Sequence, residues 1–145
     1  MGKQEIKAAT DVDAFTRAYI GCALWSSTDN GYLGKGHPDN DPRGAENGGS
    51  PLDDTFDIYD LPIETIQACA KDCDGFRDYC REANLALDTL DAEQGGHDFW
   101  LTRNGHGAGF WDRGLGELGD KLSDAAKTFG SADLYVGDDG KVHVQ

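Results

Sequence analysis

An apolar stripe at helical spacing dominates the middle of the chain. Ile63, Ile66, Ala70, Cys73, Phe76, Cys80, Ala83, Leu87 and Leu90 share one face of a helix, because residues recurring every three to four positions line up on a 3.6-residue period and not on a strand. Pro62 suits the first helical turn, and Glu64 stands near its positive dipole end. Asp74-Gly75 is the weak point, where the helix is expected to kink or split. Any fold must bury this stripe against other elements, and 145 residues suit one domain, 1–145.

The remaining elements read off in order. Val12, Phe15, Tyr19, Cys22 and Ala23 predict a first helix over Asp11 to Trp25, with Thr10 or Asp11 as its cap. Residues 29–61 read as a long acidic loop, of a length that is usually functional, mobile or a tolerated insertion. "HDFWLTRNGHGAGFWDR", His97 to Arg113, sets Asn104-Gly105 between aromatic runs, the pattern of a β-hairpin. Leu115, Leu118, Leu122, Ala125, Ala126 and Phe129 predict another helix closed by Gly130. "LYVGDDGKVHV" reads as a final hairpin turning at Asp139-Gly140. The expected fold is α+β: about three helices packed on a small antiparallel sheet built from two β-hairpins.

The 96–113 hairpin concentrates the residues able to bind or react. Across a two-residue turn His97 faces Asp112, Phe99 faces Phe110 and Arg103 faces His106 on one side. Trp100 faces Gly109 and Asp98 faces Trp111 on the other. His97, Asp98, Trp100, Arg103, His106, Trp111 and Asp112 are therefore the candidate binding residues, with His97–Asp112 either an acid/base pair or an ordinary cross-strand salt bridge. No catalytic residue is assigned.

Familiar chemistries lack their signatures. HExxH and paired CxxC are missing. "DNDPRGAE" opens like an EF-hand loop, but Arg43 and Ser50 stand where the ion needs acidic ligands. Cys22, Cys69, Cys73 and Cys80 fit core packing, since no base is placed to activate a thiol. There is no phosphate-cradling GxGxxG or Walker loop and no GxSxG elbow. No cofactor and no metal is expected.

Charge decides the class of partner. Twenty-seven acids against thirteen bases leave −14, which disfavours direct contact with nucleic acid or an anionic membrane and favours a basic protein surface. Eight acids and one base, Arg43, lie between Asp39 and Glu64. Asp39, Asp41, Glu46, Asp53, Asp54, Asp57 and Asp60 are the candidate acidic surface; plain solubility is the alternative role. No apolar run reaches the ~18 residues of a membrane span. The first residues lack the apolar core of a signal peptide, and Ile6 stands where myristoylation needs Ser or Thr.

Four stretches, in this order, resemble parts of small uncharacterised proteins of tailed bacteriophages: "ALWSST", the segment Pro51 to Ile66 with its run "TFDIYDLPIETI", "GHDFWLTRNGHGAGFWDRGLGELGDKL" and "DLYVGDDGKV". The loop "GKGHPDNDPRGAENGG" is longer than such relatives would carry. The resemblance implies a phage accessory protein acting in the host bacterial cytoplasm and brings no catalytic residues. Two functions follow as expectations. The first is binding of a host or phage protein with a basic surface, with carboxylates standing in for nucleic-acid phosphates, as in an anti-defence inhibitor. The second is a small enzyme or a metal- or ligand-binding domain on the 96–113 hairpin.

Overall fold

The computed structural model describes residues 5–43, 49–105 and 109–145, with Asp112 described by its backbone alone. Four helices, α1 (Ala14–Ser26), α2 (Ile63–Glu82), α3 (Ala92–Arg103) and α4 (Glu117–Lys127), precede one hairpin of β1 (Leu134–Val136) and β2 (Val142–Val144). At this coarse level the fold is α+β. Its sheet has two antiparallel strands, with Leu134 opposite Val144 and Val136 opposite Val142. Thr65 donates its hydroxyl to the Val142 carbonyl at 2.8 Å and so ties α2 to β2.

The first expected hairpin is a helix. Asp91 caps α3 by accepting from the Gln94 N–H, and residues 92–103 then run helically through "HDFWLTR". Asn104-Gly105 ends that helix instead of turning a strand. Gly105 takes φ +70°, the left-handed conformation of a helix stop. The Asn104 side chain donates to the Trp100 carbonyl and accepts from the Ala132 N–H. None of the cross-strand pairs expected for 97–112 is formed by described residues.

The reason is burial. Gly95, Gly96, Asp98, Phe99, Trp100, Leu101, Thr102 and Arg103 are all buried, so α3 is covered nearly all round. Such a helix has no apolar stripe to show in its sequence.

Elsewhere the periodicity holds with shifted ends. α1 begins at Ala14 because Asp13 is its cap, accepting from the Thr16 N–H at 3.0 Å. Asp11 instead closes the short 3₁₀ turn Ala9–Asp11. α2 runs unbroken through Asp74-Gly75. Gly75 serves packing there: a Cβ would lie 3.3 Å from the Phe129 ring. α2 stops at Asn84, which takes φ +57°, so Ala83 is exposed and Leu87 reaches the core from a 3₁₀ turn, Leu87–Thr89. Within 29–61 the chain forms the 3₁₀ turns Leu52–Asp54 and Ile58–Asp60 and an isolated bridge between Thr28 and Pro51.

An aromatic cluster joins the helices. Phe76 of α2 stacks on Phe99 of α3 with centroids 4.2 Å apart, and Phe129 meets both edge-on. Tyr19 of α1 packs on Phe99 and, edge-on, on Trp100.

α1 and α3 cross with almost no space between backbones. A Cβ on Gly96 would stand 1.9 Å from the Phe15 carbonyl oxygen, and one on Gly95 would stand 2.9 Å from the Phe15 ring. Gly96→Ala is therefore expected to force the helices apart and cost about 3 kcal/mol or more, the upper range for overpacking. Gly21, in α1, has nothing within 4 Å of its Cβ position, so Gly21→Ala is expected to stabilise by roughly 0.5–1 kcal/mol. Urea unfolding of the two variants beside the parent measures both; a near-neutral Gly96→Ala contradicts the tight crossing.

Candidate functional site

α3 distributes the expected site residues to different surroundings. Arg103 points inward, its side chain 4% exposed. Its Nε donates to the Gly130 carbonyl at 2.8 Å and its Nη2 to the Phe129 carbonyl at 2.9 Å. Its Nη1 donates to the Tyr19 hydroxyl and to Asp72 Oδ2, both at 2.8 Å. The guanidinium also lies 5.4 Å from the Phe99 ring centre. Burial disfavours its charge, but Tyr19 and Asp72 more than offset this and raise its pKa. Arg103 is thus a structural hub and not a group offered to a ligand. Trp100 is likewise internal, its indole N–H donating to Ser26 Oγ at 2.7 Å.

Asp98 is fully buried. Arg113 donates to both its oxygens, with contacts of 2.9–3.3 Å, and Gln94 Nε2 donates to Oδ1 at 2.8 Å. The expected partner of Asp98 was Trp111; the actual one is Arg113, which follows the 3₁₀ turn Phe110–Asp112 and pins it to α3. Thr102 Oγ1 accepts from the Phe110 N–H beside this pin. Gly109 is required there: its φ is +153°, and a Cβ would meet that hydroxyl at 2.2 Å.

His97 sits at the surface end of this arrangement. Its ring stacks on Trp25 of α1, with centroids 6.5 Å apart. Its Nδ1 is buried and without a hydrogen-bond partner; Asp98 Oδ1 is 3.6 Å away, outside hydrogen-bond reach. The expected His97–Asp112 pairing presupposed a strand where α3 lies. His106 and the Asp112 side chain lie outside the described residues. Trp111 is 51% exposed.

His97, Trp25, Gln94 and Arg113 border a cleft of about 520 Å³ between α1 and α3. Ala18, Gly21, Cys22 and Trp25 line it at helical spacing from α1; Asp91, Glu93, Gln94 and His97 line it from α3, and Arg113 closes one side. Sequence reasoning missed Trp25, Asp91, Glu93, Gln94 and Arg113. One signal was available: an Asp with Gln three residues on, Asp91 to Gln94, is a helix-start pattern.

The acidic candidates divide as well. Asp53, Asp54, Asp57 and Asp60 are exposed on the two 3₁₀ turns of 52–60. That segment is anchored by buried Leu52 and Leu61. Asp39 is exposed, Asp41 is half-buried and accepts from the Arg43 N–H, and Glu46 lies outside the described residues.

Among the described residues no group of three or more His, Cys, Asp or Glu side chains is placed to hold a metal ion, and no described helix is long and apolar enough to cross a membrane. No protein-family model, curated protein or solved structure matches the chain.

All four cysteines are free and buried. Burial pushes the Cys69 thiol up to about 12, and burial with the nearby Asp98 charge does the same for Cys22. Burial raises Cys80 to about 11 and pushes the Cys73 thiol up as well. A protonated, enclosed thiol is a poor nucleophile. In the native protein all four are expected to react with a disulfide reagent at least about a hundred times more slowly than in guanidinium-unfolded protein, in line with access by rare opening. One fast native thiol would contradict this.

Arg103→Met removes the donor from two part-buried carbonyls and from the buried Tyr19 hydroxyl, and takes the ion-pair partner from Asp72, which is 39% exposed. The expected loss is about 2–3 kcal/mol, read from chemical denaturation. A loss below about 1 kcal/mol would deny Arg103 its hub role.

Proposed function

We propose that the protein acts by binding a basic surface of another protein, presenting carboxylates where that partner would otherwise meet nucleic-acid phosphates. One observation carries this reading: Asp53, Asp54, Asp57 and Asp60 stand exposed on two consecutive short turns anchored at both ends. Asp57 accepts from the Tyr59 N–H and Asp60 from the Asp57 N–H, so these two carboxylates are held in place. Tyr59, 62% exposed, stands among them. Preorganised charge loses little freedom on binding, and the net charge of −14 steers a basic partner toward it. The phage-like stretches supply the setting, a host or phage target in the bacterial cytoplasm.

The enzyme reading has less support. It needs a hairpin whose first strand is instead the end of α3, and Arg103 and Asp98 are consumed in internal pairs.

The test is capture of host proteins on immobilised protein at low and high salt, with an Asp53→Asn, Asp54→Asn double variant alongside. The expected result is a nucleic-acid-binding protein held at low salt, released as salt screens the charges, displaced by duplex DNA, and held at least about tenfold less by the double variant, as two lost charge contacts imply. No protein held at low salt, or equal retention by the double variant, rejects the proposal.

A further inference from the structure

We propose that the α1–α3 cleft is a receptor for a guanidinium group, an arginine side chain of the basic partner. This rests on the reading of that partner as a basic protein and adds a site away from the 52–60 turns.

The cleft offers the two features a planar cation uses. The first is an aromatic wall: Trp25 lines it and is 60% exposed, an unusual state for an indole on a helix whose other large apolar side chains are buried. His97 stacked on Trp25 at an interplanar angle of 30° steadies that ring. A guanidinium over an indole is attracted by the ring quadrupole and packs flat against it.

The second is unspent negative charge. Asp91 commits one oxygen to capping α3, and Glu93 makes no hydrogen bond or ion pair among the described residues. Both line the cleft. Arg113 is the single arginine or lysine among the lining residues, and its charge is matched by Asp98 beneath it. Among the described lining residues the cleft is therefore anionic overall, and its own arginine is engaged by Asp98. A carboxylate takes a guanidinium through two parallel N–H···O bonds, which a lysine ammonium does not match.

Gly21 leaves the space. With nothing within 4 Å of its Cβ position, it opens the α1 side of the cleft without serving the fold.

The test is titration of the ¹⁵N-labelled protein with acetyl-Gly-Arg-Gly-amide, following the indole N–H signals of Trp25, Trp100 and Trp111. The citrulline peptide is the neutral isostere and the lysine peptide the non-planar cation. The expected result is a saturable shift of the Trp25 signal, with no saturable shift from citrulline and weaker binding of lysine. Glu93→Gln is expected to weaken binding about fivefold, as one exposed charge contact would. Gly21→Leu, which removes no charge and fills the cleft, is expected to abolish it. Asp53→Asn, Asp54→Asn leaves it unchanged. No saturable arginine shift in the parent, an equal response to citrulline, or undiminished binding by Gly21→Leu overturns the inference. Arginine binding without partner capture rejects the proposed function alone; capture without arginine binding rejects the cleft alone.

Discussion

The fold hangs on one guanidinium. Arg103 closes α3 and reaches the two carbonyls that follow α4, the tyrosine of α1 and an aspartate of α2. The Tyr19 hydroxyl is buried, the two carbonyl contacts are part-buried, and Asp72 is 39% exposed. A buried polar group without a partner costs about 1–3 kcal/mol, and one side chain here serves groups on or just after the other three helices. Because the donors form a rigid planar fork, they also fix distances: α4 cannot slide along α3 without leaving Phe129 or Gly130 unsatisfied. Lysine, with a single charged point, could not hold all four partners at once.

A helix bearing such a hub must be central, and centrality demands thin packing elsewhere. Gly95 and Gly96 provide it by letting the α1 backbone pass directly over α3. Beside this crossing Gly21 and Trp25 of α1 and Gln94 and His97 of α3 border a cleft, with Glu93 in its wall. The Asp98–Arg113 pair then brings in the 3₁₀ turn after α3 as a third wall.

How much of this the sequence announces depends on burial. α1, α2 and α4 each have one wet face, so their apolar spacing is visible, and the 134–144 hairpin carries its own turn chemistry. α3 has no wet face. Its buried set mixes Gly96, Asp98, Phe99, Thr102 and Arg103, and aromatic pairs beside Asn-Gly imitate a hairpin. The polar members betray the error only when their partners are known, and Tyr19, Asp72 and Arg113 lie far from them in sequence or on the other side of the turn. His97 borders a cleft, while Asp98, Trp100 and Arg103 build the protein.

The charge divides in the same way, and this division gives a −14 chain something to act with. Asp13 caps a helix, Asp29 holds its loop by accepting from Gly31 and Ser50, and Asp74, Asp72 and Asp98 pair with arginines. These acids are part of the architecture and cannot be lent to a partner. Asp53, Asp54 and Glu93 form no such bonds among the described residues. Solubility alone would be served by charge scattered over mobile side chains. Here, short aspartates sit on anchored 3₁₀ turns and a glutamate lines an aromatic cleft. Those positions restrict where a cation can be met, and restricted charge selects among partners where diffuse charge merely attracts them.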